Sequence, residues 1–140
     1  MELEKIGFSG EAREKCFEAR LGMRCTELSE GHCLYEVTVD ERHLNGSGNG
    51  HGGFLFTLAD NAAGFAAVYS ERGIRNLVTQ TATVHYVRGA RLGEHLVAEG
   101  RLVHGGRSTA LVNVEIRNDA GKLLLQGEFT MFYLDPPEED

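Results

Sequence analysis

The chain has little positive charge and few cysteines. Lys and Arg number 14 against 21 Asp and Glu, for a net charge of −7 and a pI near 5.4. Such an acidic balance argues against DNA or RNA as the main partner, while a local basic patch can still meet an anionic ligand. The three cysteines, Cys16, Cys25 and Cys33, are an odd number and lack a C-x-x-C spacing. They point neither to a disulfide framework nor to a metal-binding set. With no signal-peptide pattern at the N-terminus they read as reduced thiols of a cytoplasmic protein, and no metal site is expected. Repeats, low-complexity segments and any sign of a second domain are also missing, so the 140 residues read as one domain, 1–140. Only residues 52–69 approach the length of a membrane span. Thr57, Asp60 and Asn61 interrupt that run near its centre, and a charge at a bilayer centre is expensive, so no membrane partner is expected.

What is present is a helix, a strand pair, a long apolar helix and a run of strands. Ser9 is a candidate cap for an N-terminal helix over about residues 1–23, with Ala12, Cys16, Ala19 or Arg20, and Met23 along a weak stripe. From Cys25 to Val39 the period becomes two, with Ser29-Glu30-Gly31 as a turn. A Gly-rich loop over about 40–51 leads into an apolar helix over about 52–71, which Arg72-Gly73 closes. Strands are expected over 76–87, 94–103, 108–117 and 122–134, with Asn118-Asp119-Ala120-Gly121 as a hairpin turn. The acidic tail, 135–140, holds both prolines and should fray. A curved antiparallel sheet wrapped around the one long helix is the economical packing, an α+β layout.

The loop and that helix carry the chemistry. A helix that is apolar on every face is expected to be buried, yet Asp60 sits in its middle. An unpartnered buried carboxylate is costly, so its presence points to a function. Gly52 and Gly53 begin the helix, and their N–H groups lack intrahelical acceptors. With the helix dipole they suit an oxyanion hole for an attacked carbonyl. Asp60 can then act as nucleophile or as general base on water. Eight residues separate Gly52 from Asp60, roughly 12 Å along a helix, so one carbonyl cannot lie within reach of both. If both act on one carbonyl they come from different chains, which predicts a dimer with two equivalent sites about a two-fold axis.

These residues carry a resemblance. His51-Gly52-Gly53 followed by Leu58-Ala59-Asp60 resembles the signature of hotdog-fold acyl-CoA thioesterases of the phenylacetate-degradation (PaaI) type, in the 4-hydroxybenzoyl-CoA thioesterase superfamily. Asn45, Tyr86 with Arg88, Leu92-Gly93-Glu94 and Gly106-Arg107-Ser108-Thr109 also fit, so the resemblance spans about residues 25–134. Arg88-Gly89 stands where relatives usually have Arg-Pro. The resemblance implies a hotdog fold, a long central helix wrapped by a curved antiparallel sheet. It also implies homodimers paired into homotetramers, and hydrolysis of an acyl-CoA substrate with no cofactor other than the CoA it carries. Asp60 matches the catalytic carboxylate and Gly52 the oxyanion N–H. Asn45 matches a side chain that places the thioester or water. Thr79 matches a water-orienting hydroxyl that joins Asp60 from the opposite subunit. His51, Gly53 and Phe54 fall on the substrate side. The turn at residues 104–107, with Arg107, is similar to the one that borders the CoA nucleotide. An acyl slot is expected near Phe54, Leu55 and Leu58, for an aryl or medium-chain group.

Two rival readings remain. One is a non-catalytic acyl-CoA-binding or sensing protein on the same fold. Asp60 speaks against it, since a pure binder gains little from a desolvated carboxylate. The other is a dehydratase or hydratase, which would place a His on the buried helix, where this chain has none.

Overall fold

The computed structural model describes residues 10–136. Two short helices, α1 (Gly10–Lys15) and α2 (Phe17–Arg20), replace the single N-terminal helix expected from the sequence; Ser9 lies outside the described residues. Neither helix buries a residue, so nothing holds a longer one together. Gly22, at φ 75°, closes α2. Its N–H donates to the Ala19 carbonyl and the Met23 N–H donates to that of Glu18, the paired bonds of a left-handed glycine cap.

Strands β1 (Arg24–Ser29) and β2 (His32–Thr38) form the first hairpin, turning at Gly31 with φ 71°. The other long strands are β5 (Leu77–Tyr86), β6 (His95–Gly105), β7 (Thr109–Asn118) and β8 (Leu123–Tyr133). They join β1 and β2 in one antiparallel sheet of order β1-β2-β6-β7-β8-β5. Ala110, Val112, Val114 and Ile116 of β7 are buried, as their alternation predicts.

The long helix α3 (Gly52–Val68) lies across the inner face of this sheet. Its approach to β6 depends on Gly100, where a Cβ would collide with the Ala62 carbonyl oxygen and press on Ala66. Small residues on both elements bring the backbones together. The helix ends at Val68, three residues earlier than expected. Residues 69–74 instead form a small hairpin of β3 (Tyr69–Ser70) and β4 (Gly73–Ile74), with Gly73 at φ 97°. Glu71-Arg72 is therefore the hairpin turn and Gly73 opens β4, so Arg72-Gly73 is not a helix cap.

Helix α3 is buried on one side only, and not on every face as its apolar sequence predicts. The sheet-facing residues of α3 are sealed, but Gly53, Phe56, Thr57, Asp60, Asn61 and Gly64 keep access to solvent in the single chain. Their spacing of three and four makes one continuous stripe. Asp60 is thus half-buried on an open stripe, and not enclosed in an apolar core.

Candidate active site

The loop that delivers α3 is held from behind by His43. Its buried ring stacks on Phe54, with centroids 4.1 Å apart and an 11° tilt. Its Nδ1 accepts from the Asp40 N–H at 2.9 Å and its Nε2 lies 2.7 Å from the Leu21 carbonyl. That pairing sets the proton on Nε2. The loop then folds on Asn45. The Asn45 Oδ1 accepts from the Ser47 and Asn49 N–H groups at 2.9 and 3.1 Å. Its amide NH2 has no partner among the described residues. Gly50 packs against Ala90, where a Cβ would come within 2.8 Å of the Ala90 Cβ, and donates to the Ala90 carbonyl at 2.8 Å.

At the helix start the donors divide unequally. The Phe54 and Leu55 N–H groups donate to the His51 carbonyl at 3.0 and 3.1 Å. His51 also caps the helix, its Nδ1 accepting from the Gly53 N–H at 2.8 Å. Among the described residues this leaves the Gly52 N–H without an acceptor. Tyr86 covers this turn, its hydroxyl donating to the Gly52 carbonyl at 2.9 Å. The Phe54 ring is occupied by His43, and Leu55 and Leu58 lie in the core. The aromatic side chain on the open stripe is Phe56, 5.6 Å from the Phe129 ring.

Two turns further on, Asp60 meets β5. The Thr79 hydroxyl donates to Asp60 Oδ1 at 2.6 Å within one chain. The contact depends on a bulge between Thr79 and Thr81 in the pairing with β8. Before it, Leu77 and Thr79 point to the helix side; beyond it, Ala82 and Val84 are the half-buried residues. The extra residue, Gln80, switches the inward parity of the strand. Asp60 Oδ2 has no partner among the described residues.

Arg107 lies elsewhere, on the exposed turn after β6. Beneath that turn is Arg75, fully buried, which sequence reasoning did not single out. Its guanidinium sits 3.5 Å over the Tyr133 ring and donates to the carbonyls of Gly106 and Arg107, both at 2.8 Å. Burial draws its pKa below the usual arginine range. A separate cavity of about 640 Å³ beside the Asn45 loop is lined by Arg88, Arg91 and Lys122 with Asn49. Among the described residues no cluster of His, Cys, Asp and Glu suits a metal ion, and no helix is long and apolar enough to cross a membrane.

Residues 47–125 match the family model of the thioesterase superfamily. The chain is 33% identical to acyl-coenzyme A thioesterase PaaI of Escherichia coli over 109 residues, covering 78% of this chain and 75% of that one. It belongs to the PaaI-type hotdog thioesterases. The solved structure of the E. coli PaaI protein superposes with a TM-score of 0.83 at 25% identity, covering 91% of this chain and 90% of that one. Human acyl-coenzyme A thioesterase 13 is 34% identical over 116 residues, 81% of this chain and 82% of the human one. A Streptococcus mutans structure bound to acetyl-CoA superposes with a TM-score of 0.76 at 30% identity, over 82% of this thioesterase and 90% of that chain.

Proposed function

We propose that this thioesterase hydrolyses an acyl-CoA carrying an aryl or medium-chain acyl group, giving free acid and CoA, at a site completed across a dimer interface. The observation that carries the reading is the Asp60–Thr79 pair on the open stripe of α3, with an unpaired Gly52 N–H at the start of the same helix. Eight residues separate them, roughly 12 Å along the axis. Two α3 helices apposed antiparallel would set Gly52 of one copy beside Asp60 and Thr79 of the other. Strand β5 supports this arrangement. It spans 10 residues and pairs with β8 on one side only, a long sheet edge of the kind a second copy covers. Such dimers pair in turn into a homotetramer.

In this reading the thioester oxygen accepts from the Gly52 N–H and from the Asn45 amide, both aimed at the charge that develops on it. Asp60 Oδ2 takes a proton from water as the water attacks the carbonyl carbon, or attacks that carbon itself, giving as CoA thiolate leaves a mixed anhydride that water then cleaves to free acid and the Asp60 carboxylate. Thr79 fixes Oδ1, so that Oδ2 is the oxygen presented. Collapse of the tetrahedral adduct breaks the C–S bond and expels CoA thiolate. A thiolate is a weak enough base to leave without a strong acid at sulfur. His51 and Gly53 shape the oxyanion turn, Phe54 backs it through His43, and Phe56 borders the acyl group. Arg107 meets the anionic nucleotide. No cofactor or metal takes part, and the site belongs to a single domain.

Free-thiol release from a panel of aryl and straight-chain acyl-CoAs tests the reading, with Asp60→Asn beside the wild type. The variant should lose roughly 10²- to 10⁴-fold in kcat with its melting temperature and oligomer unchanged. Asp60→Asn chains co-expressed with Asn45→Ala chains should recover activity, because a mixed dimer holds one intact site. No recovery would place both residues in one chain's site. Acyl-CoA binding without thiol release from any substrate would leave a binding or sensing protein.

A further inference from the structure

The proposed mechanism uses no cysteine, yet two of the three cysteines meet at the sheet edge opposite β5. Cys25 on β1 lies across from Tyr35 on β2, and Cys33 lies two residues from Tyr35 on the same face of that strand. Regular pairing would leave Cys25 and Cys33 as diagonal neighbours. A bulge between Cys25 and Glu27 shifts the register there, and the two sulfurs stand 3.8 Å apart, within thiol–thiol hydrogen-bonding distance.

The two thiols are unequal. Cys33 is fully buried. Cys25 is half-buried and lines a cavity of about 410 Å³ between α2 and the first hairpin, with Arg13, Glu18, Met23, Arg24 and Tyr35 around it. The Cys33 thiol donating to it lowers the pKa of Cys25 against the opposing effect of burial, and the Arg13 charge adds to the lowering. That same hydrogen bond, together with burial, raises Cys33 far above the ordinary thiol range. The pair therefore sets a half-buried thiol that lines a cavity, its pKa drawn down by its neighbour, against a fully buried one 3.8 Å away, an arrangement suited to attack by one sulfur and resolution by the other. Cys16 has no thiol partner among the described residues: it donates to the Arg13 carbonyl at 3.4 Å, as Cys25 does to that of Glu27 at 3.6 Å, and burial raises its pKa.

We propose that Cys25 and Cys33 are a peroxide-reactive dithiol that closes to an intrachain disulfide. The Cys25 thiolate attacks the peroxide O–O bond. One oxygen is retained as Cys25 sulfenic acid, and the other leaves with a proton as water or an alcohol. The Cys33 sulfur then attacks the Cys25 sulfur. The S–O bond breaks, the Cys33 proton leaves with the hydroxyl as water, and the S–S bond forms. Two thiols lose two electrons in all, and the peroxide gains them. The sulfurs must close from 3.8 Å to about 2.05 Å, and the bulge in β1 lets that strand move without breaking the pairing beyond it. Neither Asp60 nor Thr79 lines the Cys25 cavity, and the test reads cysteine labels rather than turnover, so the proposal stands or falls independently of the acyl-CoA reading.

The test is a label count on the full-length protein. Reduced protein, unfolded and treated with N-ethylmaleimide, takes three adducts, one per cysteine. After brief exposure of the folded protein to hydrogen peroxide, two adducts should be lost and dithiothreitol should restore them. Non-reduced peptide mapping should join Cys25 to Cys33 within one chain. In Cys25→Ser the peroxide-treated protein should keep both remaining adducts. In Cys33→Ser, a dimedone adduct should mark Cys25. An unchanged label count after peroxide would overturn the proposal, as would a bridge that includes Cys16 or joins two chains. The wild-type count and map decide the matter even if Cys33→Ser fails to fold.

Discussion

The two sides of α3 obey different rules. The side against the sheet carries Leu58, Ala59, Ala62, Ala63 and Ala66, all without solvent exposure, and β6 meets it with a glycine. The other side carries Gly53, Phe56, Thr57, Asp60, Asn61 and Gly64, and its polar groups are satisfied locally or left open. On the first side only volume matters, because every position is in van der Waals contact. On the second, a single hydroxyl from β5 occupies one carboxylate oxygen of Asp60 and leaves the other open. Under the proposed mechanism one helix is both a core element and a reagent without conflict, since its 3.6-residue period keeps the two roles apart.

Gly100→Val should break the packed side. Its Cβ meets the helix backbone, which no rotamer change relieves, and a loss of about 3 kcal/mol or more is expected in denaturant melts. A melt within experimental error of wild type would show that α3 can lift off β6 at no cost. Thr79→Val should sharpen the contrast on the open side. Losing a hydrogen bond to a charged group, worth about 1.5–3 kcal/mol, corresponds to a roughly tenfold to hundredfold fall in kcat with little change in melting. Equal losses in stability and kcat would make the hydroxyl structural.

The smallest effect concerns a region with neither role. The His95 contact to Glu36 and the His32 contact to Glu99, each 2.7 Å, hold both carboxyls below their ordinary pKa. A depressed folded-state pKa gives stability that is present above the unfolded value and lost as pH falls through the folded one. Stability should therefore decline below about pH 4.3, with each pair worth about 0.5 kcal/mol. In acid titrations followed by circular dichroism, Glu36→Gln with Glu99→Gln should flatten that decline and leave thioester turnover at neutral pH unchanged. A decline as steep as the wild type's would assign acid lability to other carboxyls.

Much of the fold was legible because its signals are local. The start of α3 follows from glycines running into an apolar segment, and β7 follows from strict alternation. The end of α3 was not legible, because residues 69–71 satisfy a helical pattern equally well and only pairing with residues 73–74 draws them away. The N-terminal helix was overextended for a related reason: its stripe had no buried surface to meet. At the site, Asp60 and Gly52 stand out by residue type. That His51 occupies the Gly53 N–H, or that His43 occupies Phe54, depends on contacts the sequence does not display. Arg75 reads as one more solvated cation until the turn above it is in place.

The bulge at Gln80 makes the acid's partner a matter of counting. Along a regular strand, odd positions before Gln80 and odd positions after it would share one face; here they do not. A threonine is common in any strand, and nothing in its chemistry says which way it will point. What aims Thr79 at Asp60 is the number of residues separating it from the rest of β5. The hydroxyl can therefore be displaced by a one-residue change in length that leaves every side chain named in the site intact, and two relatives with the same residues can differ in whether those residues meet.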